Sequence, residues 1–412
     1  MRKNVKNVLI VNSRKPILPE VLHSDLFGRV TVITEPAFVD WYDERVEVRT
    51  VPSIDDLLAV KNAALDVLAA GPVDAVVSPA EHGIATAGFL RSYLGLPGLG
   101  YEAANSFANK LVMKQRLAAA GLPTAPFGPL YRLEDLPERA EELGWPVVLK
   151  AAFGTGCMSV FALGSPEEFE LFAAGEEAER LREARCPLLV EKFVGMSGEY
   201  HCDGVVHDGE VRFLAASRYF MPLLGRFDEF TGSYFLSPDD PDRAVVEDLH
   251  RRVVKALGMR SGVTHLELFK TDEGFLVGEI TCRPGGGGIV EAVRLGHGVD
   301  LWQAFLETAL GQEPTLDPSP DERIVVNVDL PIRQGRIVEQ TPAEVLEKLP
   351  DVLKVRMLHQ AGDVVGYRLY SSAANGIVFL AVRSEDEVAQ RVAGIAATYS
   401  AVVESVPAPG VV

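Results

Sequence analysis

"VGEITCRPGGGG", Val277 to Gly288, places an acid, an arginine and four consecutive glycines directly after a strand-like apolar run. Its partner lies just upstream. "GVTHLELFKTDEGFLVGEITCRP" (262–284) reads as a β-hairpin turning at "DEG" (272–274). A three-residue loop makes Thr271 face Phe275, which sets Glu267 across from Glu279 and His265 across from Thr281. Side chains two apart share a face, so Glu279, Thr281 and Arg283 point the same way as Glu267. Two carboxylates directly opposite each other repel, and a hard divalent cation between them reverses that sign. Mg²⁺, held by one or two carboxylates plus substrate phosphates, suits the pair, and Mn²⁺ is an alternative. The plainer reading is a solvent-exposed hairpin face that carries acids.

The 412 residues are enough for two or three domains, and 47% hydrophobic with 24% charged residues is an ordinary globular composition. A net charge of −18 argues against a non-specific nucleic-acid or anionic-membrane binder. An anionic ligand such as a nucleotide then needs local lysines or a metal. Cys157, Cys186, Cys202 and Cys282 form no CxxC pair, so neither a zinc site nor a disulfide framework is expected. The basic then apolar start, "MRKNVKNVLIV", is too short for a signal peptide, and no run approaches a membrane span of roughly 20 apolar residues. A cytoplasmic protein is expected, with a homodimer left open.

The first hundred residues alternate strands and helices. "NVLIVN" (7–12), "RVTVIT" (29–34) and "DAVVSP" (74–79) read as buried parallel strands, with a helix over 54–71. The loop after the first strand lacks the GxGxxG of a dinucleotide site. A helix is expected from Ala104 to Ala120 and another near 290–310. "GQEPTLDPSPDE" (311–322) reads as a linker before a strand-rich end that closes on the helix "SEDEVAQRVAGIAATYSAV". The domains are expected at 1–103, 104–314 and 320–412.

Four further features carry possible chemistry. In "KAAFGTGCMSV", Gly154 and Gly156, with Thr155 and Ser159, could turn backbone N–H groups toward phosphates. No Lys-Ser/Thr follows the glycines and a strand follows the loop, so neither a Walker loop nor a Rossmann turn fits. A glycine lid and a merely flexible hairpin both remain. Lys150 ends the apolar strand "PVVLK", and Lys110 lies within the expected 104–120 helix; lysines in such places are common. In "EKFVGMSGEY" (191–200) a strand ends at the acid Glu191 and passes through Phe193 and Val194, an apolar slot with backbone hydrogen bonds for a base, to Glu199, a ribose acceptor or a surface acid. "SRYFMPLLGRFDEFTGSYFLSP" (217–238) brings Arg218, Arg226, Asp228 and Glu229 beside aromatics, either as an amino-acid pocket or as a charged lid.

Taken together and in this order, "NKLVMKQRLAAAGLPTAP", "WPVVLKAAFGTGCMSV", "LLVEKFVGMSGEY", "THLELF" and "GEITCRPGGG" resemble the ATP-grasp superfamily over residues 100–310. The N-terminal unit, ending in "SPAEHGIATAGFLRSYLGLPG", is similar to the domain that precedes it there. Within the superfamily the chain most resembles the carboxylate–amine ligases that make dipeptides, the L-amino-acid ligases. The resemblance implies an α/β and α+β fold: a Rossmann-like N-terminal domain, a two-lobed ATP-binding domain and a small α+β C-terminal domain.

It also implies roles. Lys110 and Lys150 would contact the ATP phosphates, under a mobile loop at 154–159. Glu191 and Val194 would hold the adenine edge, partly through backbone groups, and Glu199 the ribose. Glu267 and Glu279 would bind Mg²⁺, and Arg283 would sit at the transferred phosphoryl group. Arg218, Asp228, Glu229, Gly286 and Gly287 are the candidates for substrate binding. Thr281 departs from the family's Glu-x-Asn-x-Arg: a hydroxyl replaces an amide oxygen, which puts a second metal in question.

The expected reaction has a substrate carboxylate attack the γ-phosphate, giving an acyl phosphate that an amine then opens. The glycines from 285 to 288 would bring backbone N–H groups to a carboxylate or oxyanion. A ligase using bicarbonate or a nucleotide precursor, and a non-catalytic nucleotide binder, are the alternatives.

Overall fold

The computed structural model describes residues 5–154, 156, 159–184, 186–222, 224, 228–366 and 373–406. Thr155 and Arg226, both singled out above, lie outside the described residues.

Four parallel strands open the chain, in the order Glu47–Thr50, Phe27–Thr34, Lys6–Val11, Ala75–Val77. In the last three of these the β-branched residues are buried on both faces, as a parallel sheet covered by other elements requires, while the edge strand Glu47–Thr50 is half-buried to exposed. Helix Leu57–Ala70 packs one face, its first turn capped by Asp56, which accepts from Leu58 N and Ala59 N. The other face merges into a core built with helix Leu301–Ala309 and the large central sheet.

That central sheet has eight strands. The order is Gly274–Thr281, Gly262–Thr271, Gly198–His207, Glu210–Tyr219, Thr231–Phe235, Ile324–Leu330, Gly376–Val382, Val352–Met357. The last three strands come from the C-terminal quarter of the chain, so that region extends the same sheet. We propose 1–103, 104–314 and 320–412 as the domains, the latter two sharing this sheet. The segment between Ala309 and Ile324 carries no helix or strand. A separate four-stranded sheet, Phe127–Leu130, Leu188–Lys192, Val147–Ala151, Val160–Leu163, forms a small lobe with its own apolar core.

Three expectations are corrected. The single helix over 104–120 is two, Tyr101–Ala108 and Lys110–Ala119. Asn109 leaves helical geometry and caps the second helix, accepting from Leu111 N and Val112 N, which places Lys110 at a helix start. The helix near 290–310 is also two, Ile289–His297 and Leu301–Ala309, separated by Gly298 at φ 71° and recapped by Asp300. The final helix stops at Thr398 and the chain turns into strand Ala401–Glu404.

Candidate active site

The hairpin brings Glu267 opposite Glu279 and His265 opposite Thr281. The route differs from the sequence reading. The loop has two residues, because Thr271 pairs with Gly274, and a bulge at Gly278 restores the register before Glu279. A Cβ at Gly278 would lie 3.0 Å from the Phe269 ring and 3.2 Å from Glu267 O, so the ring would have to give way to any side chain there.

Glu267, Glu279, Thr281 and Arg283 line one cavity of about 510 Å³ between the small lobe and the central sheet. Lys110, Lys150, Gly154, Gly156 and Ser159 line it from the other side, as do Glu191, Phe193, Val194 and Glu199. Gly286 and Gly287 also reach it. Arg218 does not line the cavity: strand alternation turns it to the opposite face from Tyr219, and its guanidinium lies 5.5 Å from the Tyr200 ring centroid. Asp228 and Glu229 are exposed and also lie outside the cavity lining.

Cations and acids interlock in this cavity. Lys110 Nζ donates to Glu279 Oε1 and to Gly154 O, both at 2.6 Å. Glu191 sits between Lys114, at 2.8 Å, and Lys150. Burial by itself would raise the Glu191 carboxyl, but the two ammonium groups hold it down at about 2. This corner keeps two buried cations for one acid, a surplus that suits an anionic ligand such as a phosphate. The Glu191 carboxylate faces these two lysines.

At the other end, Arg283 Nη2 donates to Glu81 Oε2 at 2.6 Å. Glu81 also lies 3.9 Å from Lys110. Burial pushes Glu279 up, and the nearby Glu81 and Glu267 add to this against the pull of Lys110. Three carboxylates, Glu81, Glu267 and Glu279, thus converge around Lys110, with Arg283 paired to Glu81 and His265 beside Glu267.

The donors there are hard oxygens, and Thr281 Oγ1 is buried with no hydrogen-bond partner. An ammonium already holds Glu279. Both observations fit Mg²⁺, which Glu267 and Glu279 would hold with Thr281 beside them.

Behind the acids runs a buried polar chain that no single motif announced. His265 Nε2 lies 3.5 Å from Glu267, and its Nδ1 meets Asp203 at 3.0 Å. The other Asp203 oxygen meets His201 Nδ1 at 2.7 Å, and His201 Nε2 meets Ser233 Oγ at 2.9 Å. Ser233 donates to Asn327 Oδ1 at 2.8 Å, and Asn327 Nδ2 donates to Gly287 O at 3.1 Å. Burial opposes charge on His265, yet Asp203 and Glu267 raise it to about 10. His201, Asp203 and His265 have ligand atoms within 4.8 Å of one another, but their mutual hydrogen bonds already account for that cluster. The glycine run is thus tied into the sheet, with Gly287 and Gly288 at φ 56° and 81°, a conformation that favours glycine.

Glu81, Lys114, the His201–Asp203–His265 cluster and Asp329 were not reached from sequence. Glu81 sits within "SPAEHG" and Lys114 four residues after Lys110, so only the family alignment of those stretches could have pointed to them.

Comparison with known proteins bears on this geometry. Residues 115–293 match the ATP-grasp domain model. The chain is 35% identical over 399 residues to the L-arginine-specific L-amino acid ligase of Bacillus subtilis, covering 95% of this chain and 96% of that protein. The structure of an L-amino acid ligase from Bacillus licheniformis superposes with a TM-score of 0.78 at 20% identity, covering 98% of this chain and 100% of the other. Carboxyaminoimidazole ribonucleotide synthase from Aspergillus clavatus, solved with ATP, shares the fold at a TM-score of 0.70 and 17% identity, over 96% and 98% of the two chains. Fold and site define an ADP-forming ligase that makes carbon–nitrogen bonds through an acyl phosphate. The chain belongs to the ATP-grasp superfamily, among the carboxylate–amine ligases related to the L-amino-acid ligases.

Proposed function

We propose that this protein joins an amino acid, through its carboxylate, to an amine or a second amino acid, making a dipeptide-like product from ATP. The observation that supports it most is the single cavity in which lysines, the Glu267/Glu279 pair, Arg283 and a glycine run meet. The relationship to a protein named for L-arginine makes arginine the first carboxylate or amine to try.

Lys110, Lys114 and Lys150 bind the phosphates, and Gly154, Gly156 and Ser159 close over them. Phe193 and Val194 flank the adenine, with Glu191 at its edge and Glu199 at the ribose. Glu267 and Glu279 would hold magnesium, which would supply charge neutralisation for the transferring phosphoryl oxygens. Arg283, oriented by Glu81, steadies charge on the transferring phosphoryl and acyl oxygens. Gly286 and Gly287 present backbone to the substrate's carboxylate or oxyanion.

The test is ADP release across a matrix of amino-acid pairs, with and without bicarbonate, with products identified by mass spectrometry. A ligated product that needs two amino acids and no bicarbonate supports the reading. ADP release that requires bicarbonate, or none with any pair, overturns it.

A further inference from the structure

Asp329 lies on strand Ile324–Leu330, on the face that lines the cavity. It is 7% exposed, and its Oδ1 is buried with no hydrogen-bond partner. Thr231, paired across the strands, supplies its hydrogen bond. Among the described residues, no Lys, Arg or His forms an ion pair with it.

Other buried acids at this cavity are matched. Glu81 has Arg283, Glu191 has Lys114 and Lys150, and Glu279 has Lys110. Burial pushes the Asp329 carboxyl up to about 7, with only the Thr231 hydrogen bond opposing. A buried acid without a counter-charge is costly, and a site in a cleft is where such a cost is tolerated because a ligand completes it.

Its position fits one kind of ligand. Asn327 Nδ2 holds Gly287 O at 3.1 Å, so Asn327 touches the glycine run assigned to the substrate. Asp329 stands two residues farther along the same strand face, about 7 Å on. An amino acid whose carboxylate lies at Gly286 and Gly287 can extend its side chain past Asn327 to this carboxylate.

We propose that Asp329 anchors the positively charged side chain, guanidinium or ammonium, of an amino-acid substrate. This rests on the amino-acid ligase reading above. Arginine, planar and doubly donating, fits a carboxylate with a bare oxygen better than the more compact lysine ammonium.

The experiment compares L-arginine with L-citrulline, its neutral near-isostere, and L-lysine with L-norleucine, by ADP release and by calorimetry in the presence of a non-hydrolysable ATP analogue. Wild type should prefer each cation over its neutral partner. Asp329→Asn should cut that preference roughly 10- to 100-fold, the scale for a lost charged hydrogen bond. Asp329→Glu, which keeps the charge, should retain it. Thermal unfolding of Asp329→Asn at or above the wild-type midpoint shows an intact fold, and should that variant unfold, the calorimetric comparison on wild type and Asp329→Glu decides.

Equal affinity of wild type for arginine and citrulline overturns the assignment, as does an undiminished preference in Asp329→Asn. Both outcomes leave ligation of neutral amino acids in place, whereas loss of ADP release with every pair strikes the ligase reading itself.

Discussion

Glu81 Oε2 accepts from Arg283 Nη2 at 2.6 Å, joining residues 202 apart in the chain. The acid follows the last parallel strand of the N-terminal sheet, and the arginine ends the Glu-x-Thr-x-Arg run at the end of a strand of the central one. The N-terminal unit therefore contributes to the site by aiming a guanidinium. Glu81→Gln keeps an acceptor but drops the charge. It should lower kcat/KM by about 10- to 100-fold, the scale of a lost charge-assisted hydrogen bond. ATP affinity, measured by calorimetry, should change by less. Equal losses in both would show that Glu81 acts through general structure.

Glu279→Gln should reduce turnover by orders of magnitude, because phosphoryl stabilisation at the metal is lost. Stability should hold. The folded-state pKa of Glu279 is raised, so its charge weighs against the fold as pH rises through the range between the unfolded and folded values, and at neutral pH removing it relieves that term. Loss of the Lys110 pair opposes this gain, so the unfolding midpoint without Mg²⁺ should move little. A large fall would mean that the Lys110 bridge dominates.

Glu191 makes the opposite prediction with pH. Its folded pKa of about 2 lies below the ordinary 4.5, so its contribution is present above about 4.5 and is lost as pH falls toward 2. The shift corresponds to roughly 3 kcal/mol. Denaturant unfolding of wild type and Glu191→Gln at pH 7, 5, 4 and 3 should show a gap that is constant at the upper two values and narrows below. A gap independent of pH would contradict the two-lysine clamp.

How far the site could be read from sequence turns on particular residues. Opposition of Glu267 and Glu279 came out correctly although the loop is one residue shorter than expected, because the Gly278 bulge supplies the missing residue. Period-two alternation sees faces and is blind to a bulge that compensates for a turn. Lys110 and Lys150, pointed to only by the family resemblance, both line the cavity. Arg218 was misplaced because a charged residue beside aromatics says nothing of which face it takes until strand register is known. Glu81, His201, Asp203 and Asp329 were invisible for a related reason. None carries a motif of its own, and only long-range pairing brings Glu81 and Asp329 to the cavity and His201 and Asp203 behind its acids.

Thr281→Asn tests the departure from the family pattern. Thr281 Oγ1 is buried without a partner beside Glu267 and Glu279. Restoring an amide oxygen should lower the Mg²⁺ concentration for half-maximal rate about five-fold, if the gain is on the order of 1 kcal/mol. An unchanged midpoint with a lower plateau would place position 281 in the substrate pocket, crowded by the larger side chain.

Fate of a carboxylate oxygen tests the acyl-phosphate route to an amino-acid product most directly. When a substrate carboxylate attacks the γ-phosphorus, one of its oxygens becomes the bridge of the acyl phosphate, and attack by the amine then expels that oxygen with the phosphate. L-arginine and a second amino acid, each labelled with ¹⁸O in its carboxylate and incubated with ATP and Mg²⁺, should yield inorganic phosphate carrying one ¹⁸O for every ligated product and every ADP. Phosphate free of label, or AMP in proportion to product, would contradict it.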